Sequence, residues 1–206
     1  MDRSKFYAVM RSSIGALTTP NVMGFEQFLN AAEQRKEPLN RLAYVLATVW
    51  WETGKTMQPV REAYWVGHGN EVIAENWRRT HLRYYPFYGR SYPQFTWEAN
   101  YRKASETWNA KYRGNGPIVD FVKNPDSIMN PAYGVPLTFD AMEHGWFTGK
   151  SLDDYIDTMD EGDAEDFREF KAARHIVNGV DKDDEIGQIA LTMEKGLKAG
   201  GYGQAV

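Results

Sequence analysis

Residues 38–54 read PLNRLAYVLATVWWETG, and this stretch carries the clearest structural signal in the chain. Its apolar residues recur every three or four positions, which is the period of an α-helix. Pro38 suits the first turn of a helix, and Gly54 follows the last periodic residue, as expected near a helix end. The pattern predicts a buried helix over residues 38–52, with Glu52 at its C-terminal end.

Helical periodicity also marks both ends of the chain, whereas the middle third is irregular. Two short helices are predicted before residue 30. Further helices are predicted over residues 137–143, 151–159, 167–177 and 186–197. Residues 55–136 hold seven prolines with many glycines and aromatic residues, which predicts loops, short helices and a short strand or hairpin around 58–66. We therefore expect a mainly α fold with a loop-rich middle and at most a small β-hairpin, in a single catalytic domain over 1–206 with a frayed tail at about 199–206.

Composition narrows the chemistry and the partners. The 206 residues are 42% hydrophobic, enough for one substantial core. The absence of cysteine excludes disulfide bridges, iron–sulfur clusters, Cys-ligated zinc and a thiol nucleophile. The net charge of -4 does not suit a nucleic-acid partner, and the four histidines are dispersed without a metal-ligand spacing. We expect no metal and no organic cofactor, and a monomer by default.

Neither a secretory signal nor a membrane span is expected. The N-terminal residues run straight into an amphipathic pattern without the apolar stretch of a signal peptide. No apolar run approaches the length that crosses a bilayer, so no stable membrane insertion is expected.

Charge is unevenly distributed along the chain. Residues 78–113 hold eight basic residues against two acidic ones, whereas residues 151–166 hold eight acidic residues and no basic one. Two interpretations are open: a solvated surface with scattered arginines, or a groove for an anionic polymer.

Two glutamates, ten residues apart, are candidate catalytic groups. Glu52 falls on the stripe of Val45 and Val49, where a carboxyl would face apolar and indole surface, a setting that favours its protonated form. If the chain turns at Gly54, Glu62 can supply a second carboxylate, and two carboxylates in unlike environments are what glycosidic cleavage requires. The alternative for Glu52 is a helix-end glutamate that turns to solvent or pairs with an arginine.

Three segments resemble one enzyme family. They are residues 51–62 (WETGKTMQPVRE), 88–101 (YGRSYPQFTWEANY) and 173–179 (ARHIVNG). The first is similar to the catalytic stretch of glycoside hydrolase family 19, whose lysozyme-like fold is shared by plant-type chitinases and phage endolysins. The second resembles that family's Gly-Arg-Gly-x-x-Gln-[Leu/Ile]-[Ser/Thr]-x-x-x-Asn-Tyr motif, and the third its Ile-Ile-Asn-Gly segment. The resemblance implies a lysozyme-like single domain of the short phage or prophage type.

The resemblance also implies roles for individual residues. Glu52 would be the general acid and Glu62 the general base of a single-displacement, inverting hydrolysis, and Thr96 would help to hold the attacking water. Other polar residues of the motifs would contact the sugar chain, while arginine and aromatic side chains suit an anionic sugar polymer. The candidate substrate-binding residues are Gln94, Asn100, Asn178, Arg90, Tyr88 and Trp65. For the motif residues the alternative is an ordinary structural role in a strand or turn.

Two residues depart from the family pattern. Trp51 stands where the family usually has histidine, which removes a polar neighbour of the proposed acid. Ser91 stands where it usually has glycine, which puts a side chain at a position where glycine can adopt a left-handed conformation. These departures leave open a catalytically silent glycan-binding or virion structural relative.

The main expectation is an endolysin-like glycosidase that cleaves the glycan strands of bacterial peptidoglycan. Peptidoglycan carries carboxylates that suit the basic stretch 78–113, whereas chitin is neutral. A chitinase acting on chitin oligomers is the alternative enzyme. Without a signal peptide, such an endolysin is expected in the host cytoplasm and would reach the cell wall through a holin or lysis.

Overall fold

The computed structural model describes residues 1–159 and 162–204. Within these ranges the chain is 60% helix, in eight α-helices, with one two-stranded antiparallel sheet. This confirms the expected mainly α fold with at most a small β element. The α-helices are α1 (Arg3–Ile14), α2 (Thr19–Arg35), α3 (Leu39–Glu52), α4 (Glu71–His81), α5 (Glu98–Thr107), α6 (Pro131–Glu143), α7 (Asp163–Ala172) and α8 (Asp183–Ala199). The strands are β1 (Val60–Arg61) and β2 (Arg90–Ser91).

The chain divides into two compact units. The first comprises residues 1–57 with 139–206, and the second comprises residues 58–138. The single domain expected over 1–206 stays a prediction.

The core of the first unit is built around α3. Every residue of α3 from Leu42 to Trp50 is buried, in accord with its near-continuous apolar sequence. Helix α8 packs against α3, α7 and α1. The close approach of α8 to α1 requires Gly196, because a Cβ there would lie 2.6 Å from Cε of Met10 and 3.0 Å from the ring of Phe6.

Helix α2 has a well-defined start that also anchors the turn after α3. The side chains of Thr18 and Asn21 bond reciprocally to each other's backbone N–H in a capping box, and Pro20 occupies the first turn. Nδ2 of Asn21 donates to the carbonyl of Lys55 at 2.8 Å. This contact holds the chain just beyond Glu52.

The sheet of the second unit pairs segments that are distant in sequence. Val60 is opposite Ser91 and Arg61 is opposite Arg90, in antiparallel register. The short strand expected around 58–66 is found as β1, whereas the alternative of a local hairpin there is wrong, since the partner strand lies about thirty residues further on. An isolated bridge between Arg90 and Phe95 closes the turn that follows β2.

Two expectations about the C-terminal third are wrong. Residues 151–159 form only a 3₁₀ turn over Leu152–Asp154, and beyond it the Asp157 side chain accepts from the N–H of Met159 in place of a helical bond. The chain after α8 does not fray as far as residue 204. Tyr202 is buried and its hydroxyl donates to the carbonyl of Glu37 at 2.8 Å. Residues 205 and 206 lie outside the described residues.

Candidate functional site

Glu52, the last residue of α3, is fixed by a buried arginine. Nη1 of Arg174 donates to Oε1 of Glu52 at 2.6 Å, and the side chains are 3% and 18% exposed, respectively. Nε of Arg174 donates to the carbonyl of Asp181 at 3.0 Å. The expectation that this carboxyl faces apolar surface is therefore wrong. The structure shows the alternative, in which Glu52 pairs with an arginine. A buried guanidinium requires such a counter-charge.

The turn after Glu52 is tightly bonded and conformationally strained. Oγ1 of Thr53 donates to the carbonyl of Val49 at 2.7 Å and accepts from the N–H of Met57 at 3.0 Å. Lys55 and Met57 both have left-handed backbone conformations. A Cβ on Gly24 would lie 2.1 Å from the carbonyl oxygen of Met57, so the glycine of α2 allows this turn to pack closely.

The third motif segment contributes Arg174 to this site. Arg174 lies on the 3₁₀ helix Ala173–Ile176, whereas Asn178 is exposed and its Oδ1 accepts from the N–H of Gly179 at 2.9 Å. A substrate-binding role for Asn178 stays a prediction. Sequence reasoning missed Arg174 because its partner lies 122 residues away, although its presence inside a quoted motif was an available signal.

Glu62, the first residue after β1, is held by hydrogen bonds at both carboxylate oxygens. The hydroxyl of Tyr84 donates to Oε1 at 2.6 Å, and the N–H of Gly89 donates to Oε2 at 2.8 Å. The backbone is fixed as well: the N–H of Glu62 donates to the carbonyl of Gly89 at 2.7 Å, and its carbonyl accepts from Nε of Arg78 at 2.6 Å. Each carboxylate oxygen accepts one hydrogen bond here and has a further acceptor position, so the group can also bind a water molecule.

The polar residues of the second motif bond to their own loop. Nε2 of Gln94 donates to the carbonyls of Val60 and Ser91, at 3.2 and 3.1 Å. Oγ1 of Thr96 donates to the carbonyl of Gln94 at 2.9 Å, and Nδ2 of Asn100 donates to the carbonyl of Thr96 at 2.9 Å. These three side chains build the loop. Their contacts with water or sugar stay predictions.

Backbone strain is concentrated in the same loop. Ser91, Gln94 and Trp97 have φ values of 70°, 60° and 73°, in the region that favours glycine. Ala63, next to Glu62, has φ 55°. Non-glycine residues in this conformation cost free energy and tend to cluster where a site needs a fixed geometry.

Arg90 and Tyr88 do not fit the substrate-binding role expected of them. Their side chains are 4% and 1% exposed. Arg90 donates to Asp126 at 2.6 Å and to the hydroxyl of Tyr101 at 3.0 Å, and its guanidinium lies 3.6 Å from the centroid of the Tyr88 ring. The hydroxyl of Tyr88 donates to Glu75 at 2.7 Å. Both residues hold the second unit together and are not accessible to a polymer.

Trp65 remains available for the contact expected of it. Its side chain is 63% exposed and its ring meets that of Tyr64 edge-on, with centroids 5.3 Å apart. Exposed indole surface of this kind can stack on a sugar ring. Its substrate-binding role stays a prediction.

The positive charge of residues 78–113 is partly neutralised. Arg78 pairs with Glu71 and Glu75, Arg90 pairs with Asp126, and Arg102 pairs with Glu98. The carboxylates of the first two arginines come from outside the basic stretch. The interpretation of this stretch as a groove for an anionic polymer is therefore weakened.

One group has the composition of a metal site. Carboxylate oxygens of Asp140 and Glu143 and a ring nitrogen of His144 lie within 4.8 Å of one another. Nη2 of Arg35 lies 3.1 Å from Asp140 and 2.6 Å from Glu143. The guanidinium supplies the positive charge that these carboxylates need, so the cluster is explained as an ion pair.

Comparison of the chain with family models, with curated protein sequences and with solved structures gives no match. The glycosidase resemblance therefore rests on the three quoted segments. Among the described residues, no helix combines the length and the apolar character needed to cross a bilayer.

Proposed function

We propose that this protein is an endolysin-like glycosidase that hydrolyses the glycan strands of bacterial peptidoglycan with inversion. Glu52 gives a proton to the glycosidic oxygen, and the bond from that oxygen to the anomeric carbon breaks. Glu62 takes a proton from a water molecule whose oxygen forms the new bond to that carbon from the opposite side. Thr96 helps to hold this water.

The observation that carries the proposal is the unlike bonding of the two glutamates. Glu52 is paired with the cationic Arg174, whereas Glu62 is held by the neutral donors Tyr84 and Gly89. Two carboxyl groups in different environments can take different roles in one reaction. Arg174 contacts Oε1 of Glu52 and favours the charged form of this carboxyl. The proposal therefore requires that Glu52 take up a proton on Oε2 before it gives that proton to the leaving group.

The choice of polymer depends mainly on the motif resemblance to phage enzymes. The ion pairs of Arg78 and Arg90 neutralise part of the positive charge that would favour peptidoglycan over chitin. The exposed Trp65 suits the sugar rings of either polymer. Chitin oligomers are therefore the comparison substrate in the test.

The test measures the release of new reducing ends from purified peptidoglycan and from soluble chitin oligomers by the wild type and by Glu52→Gln and Glu62→Gln. The wild type is expected to cut peptidoglycan. Each variant is expected to lose about 10²- to 10⁴-fold in rate, the usual contribution of general acid–base catalysis. Mass spectrometry of the fragments and identification of the new terminal sugar define the bond that is cut.

Glu33→Gln is the matched control, because Glu33 is also paired with an arginine, Arg3, and has no assigned catalytic role. It is expected to keep wild-type activity. Circular dichroism establishes that each variant is folded. Full activity of folded Glu52→Gln would overturn the mechanism, cleavage of chitin alone would select the chitinase, and saccharide binding without turnover by the wild type would select a silent relative.

A further inference from the structure

Tyr84 makes the one side-chain hydrogen bond to the Glu62 carboxylate seen among the described residues. Its hydroxyl lies 2.6 Å from Oε1, a short distance typical of a hydroxyl that donates to a carboxylate. The other donor, Gly89, uses its backbone N–H, on Oε2. Each carboxylate oxygen has two acceptor positions, so one bond to each fixes the group and leaves acceptor capacity for a water molecule.

Tyr84 is itself held in place by its neighbours. Its ring packs against the ring of Trp97 with centroids 5.0 Å apart. The backbone N–H of Trp97 donates to the carbonyl of Phe87 at 2.8 Å, and the guanidinium of Arg83 lies 5.2 Å from the Trp97 ring centroid. Trp97 has φ 73°, so the loop accepts a strained conformation that keeps this indole against Tyr84.

We propose that Tyr84 is a positioning residue that aims the carboxylate of Glu62, an inference that rests on the proposed function. The hydroxyl fixes the rotation of the carboxylate about its last bond, and with it the direction of the lone pair that takes the proton from water. A base held within a fraction of an ångström of the productive geometry acts faster than one that must find it.

The hydroxyl stays protonated over the range in which a hydrolase works. Burial, then the hydrogen bond and the charge of Glu62, raise the pKa of Tyr84 to about 12. Tyr84 therefore donates to Glu62 throughout and does not compete with it for the proton of the water.

The first experiment compares Tyr84→Phe with Tyr85→Phe on the glycan that the wild type cleaves. Tyr85 is the matched control, because it belongs to the same loop and its hydroxyl bonds to a different carboxylate, Glu75. Tyr84→Phe is expected to lose about tenfold in kcat with KM within about twofold of the wild type, as the loss of one hydrogen bond to a charged group allows. Tyr85→Phe is expected to keep both constants.

The second experiment does not require activity. With ¹³C at Cζ of tyrosine, the Tyr84 signal is identified by its loss in Tyr84→Phe and is followed as the pH rises. In Glu62→Gln the Tyr84 signal is expected to move at lower pH than in the wild type, because the charge and the carboxylate acceptor are gone. An unchanged titration would show that the two groups are not in contact and would overturn the proposal.

The two experiments separate the possible failures. An active wild type whose Tyr84→Phe variant keeps its kcat overturns the positioning role alone. A folded wild type that cleaves neither glycan overturns the proposed function and the positioning role together, whatever the titration gives.

Discussion

Replacement of Glu37 by glutamine is expected to change how the stability of the fold depends on pH. Glu37 lies in the turn between α2 and α3, its side chain is 4% exposed, and Nε of Arg35 is 4.0 Å from its carboxylate. Burial, then a hydrogen bond with Glu143 and the negative charge of Glu143, raise the pKa of Glu37 from 4.5 to about 8. Arg35 and Arg41 oppose this change without cancelling it.

The direction of the effect follows from proton binding. Between pH 4.5 and about 8 the folded protein keeps a proton on Glu37 that the unfolded chain releases. The stability that this proton provides is complete below pH 4.5, falls as the pH rises, and is lost above about pH 8. Within the window the free energy of unfolding falls by at most about 1.4 kcal/mol per pH unit from this group.

Glu37→Gln keeps the shape of the protonated side chain and cannot ionise. It is expected to match the wild type near pH 5 and to be more stable by a few kcal/mol near pH 9. The assay is urea unfolding at intervals between these values, followed by tryptophan fluorescence. Equal slopes of stability against pH in the wild type and the variant would refute the reasoning.

Glu33→Gln provides a control of opposite sign. Burial opposes ionisation of Glu33, but hydrogen bonds from Arg3 and the N-terminal ammonium outweigh it and lower the pKa of Glu33. The stability that the ionised Glu33 carboxylate provides is present above the ordinary pKa of glutamate and is lost as the pH falls below that value. Glu33→Gln is therefore expected to lower the free energy of unfolding by the same amount at every pH in the neutral range. The slope of stability against pH that Glu37 causes is expected to remain.

Two further predictions concern single contacts, both measured by urea unfolding. Ser91→Gly is expected to raise the free energy of unfolding by about 1 kcal/mol, because glycine tolerates φ 70° and the buried hydroxyl of Ser91 has no hydrogen-bond partner among the described residues. A lower midpoint would contradict this. Tyr202→Phe is expected to cost about 1 kcal/mol through loss of the 2.8 Å bond to the Glu37 carbonyl. An unchanged midpoint would mean that this bond does not anchor the chain after α8.

Periodicity predicted the helices whose apolar stripe is buried. The helix expected over 38–52 is found as Leu39–Glu52, because its apolar face packs in the core and its ends carry recognisable residues. The same reasoning failed over 151–159, where the capping box of Ser151 and Asp154 starts only the 3₁₀ turn Leu152–Asp154 and Oδ1 of Asp157 accepts from the N–H of Met159. Side chains that bond to their own backbone can outweigh a weak helical pattern.

The partners of the candidate site could not be predicted from spacing. Glu52 was placed correctly at the end of a helix, but its contact with Arg174 joins residues 122 positions apart. The basic residues 78–113 looked unpaired because the carboxylates of Glu71, Glu75 and Asp126 lie outside that stretch. Local sequence carries periodicity and turn chemistry, whereas these ion pairs depend on the tertiary fold.

The structure explains how serine is accommodated at position 91, one of the two departures from the family pattern. Ser91 is fully buried, so its side chain does not stand in the path of a ligand. A Cβ on Gly134 would lie 2.4 Å from Oγ of Ser91, and the N–H of Ser91 donates to Sδ of Met129 at 3.3 Å. The space that a glycine at 91 would leave is filled by the serine, and a glycine at 134 makes room for it. The case for a catalytically silent relative therefore rests on Trp51, the residue directly before the proposed acid.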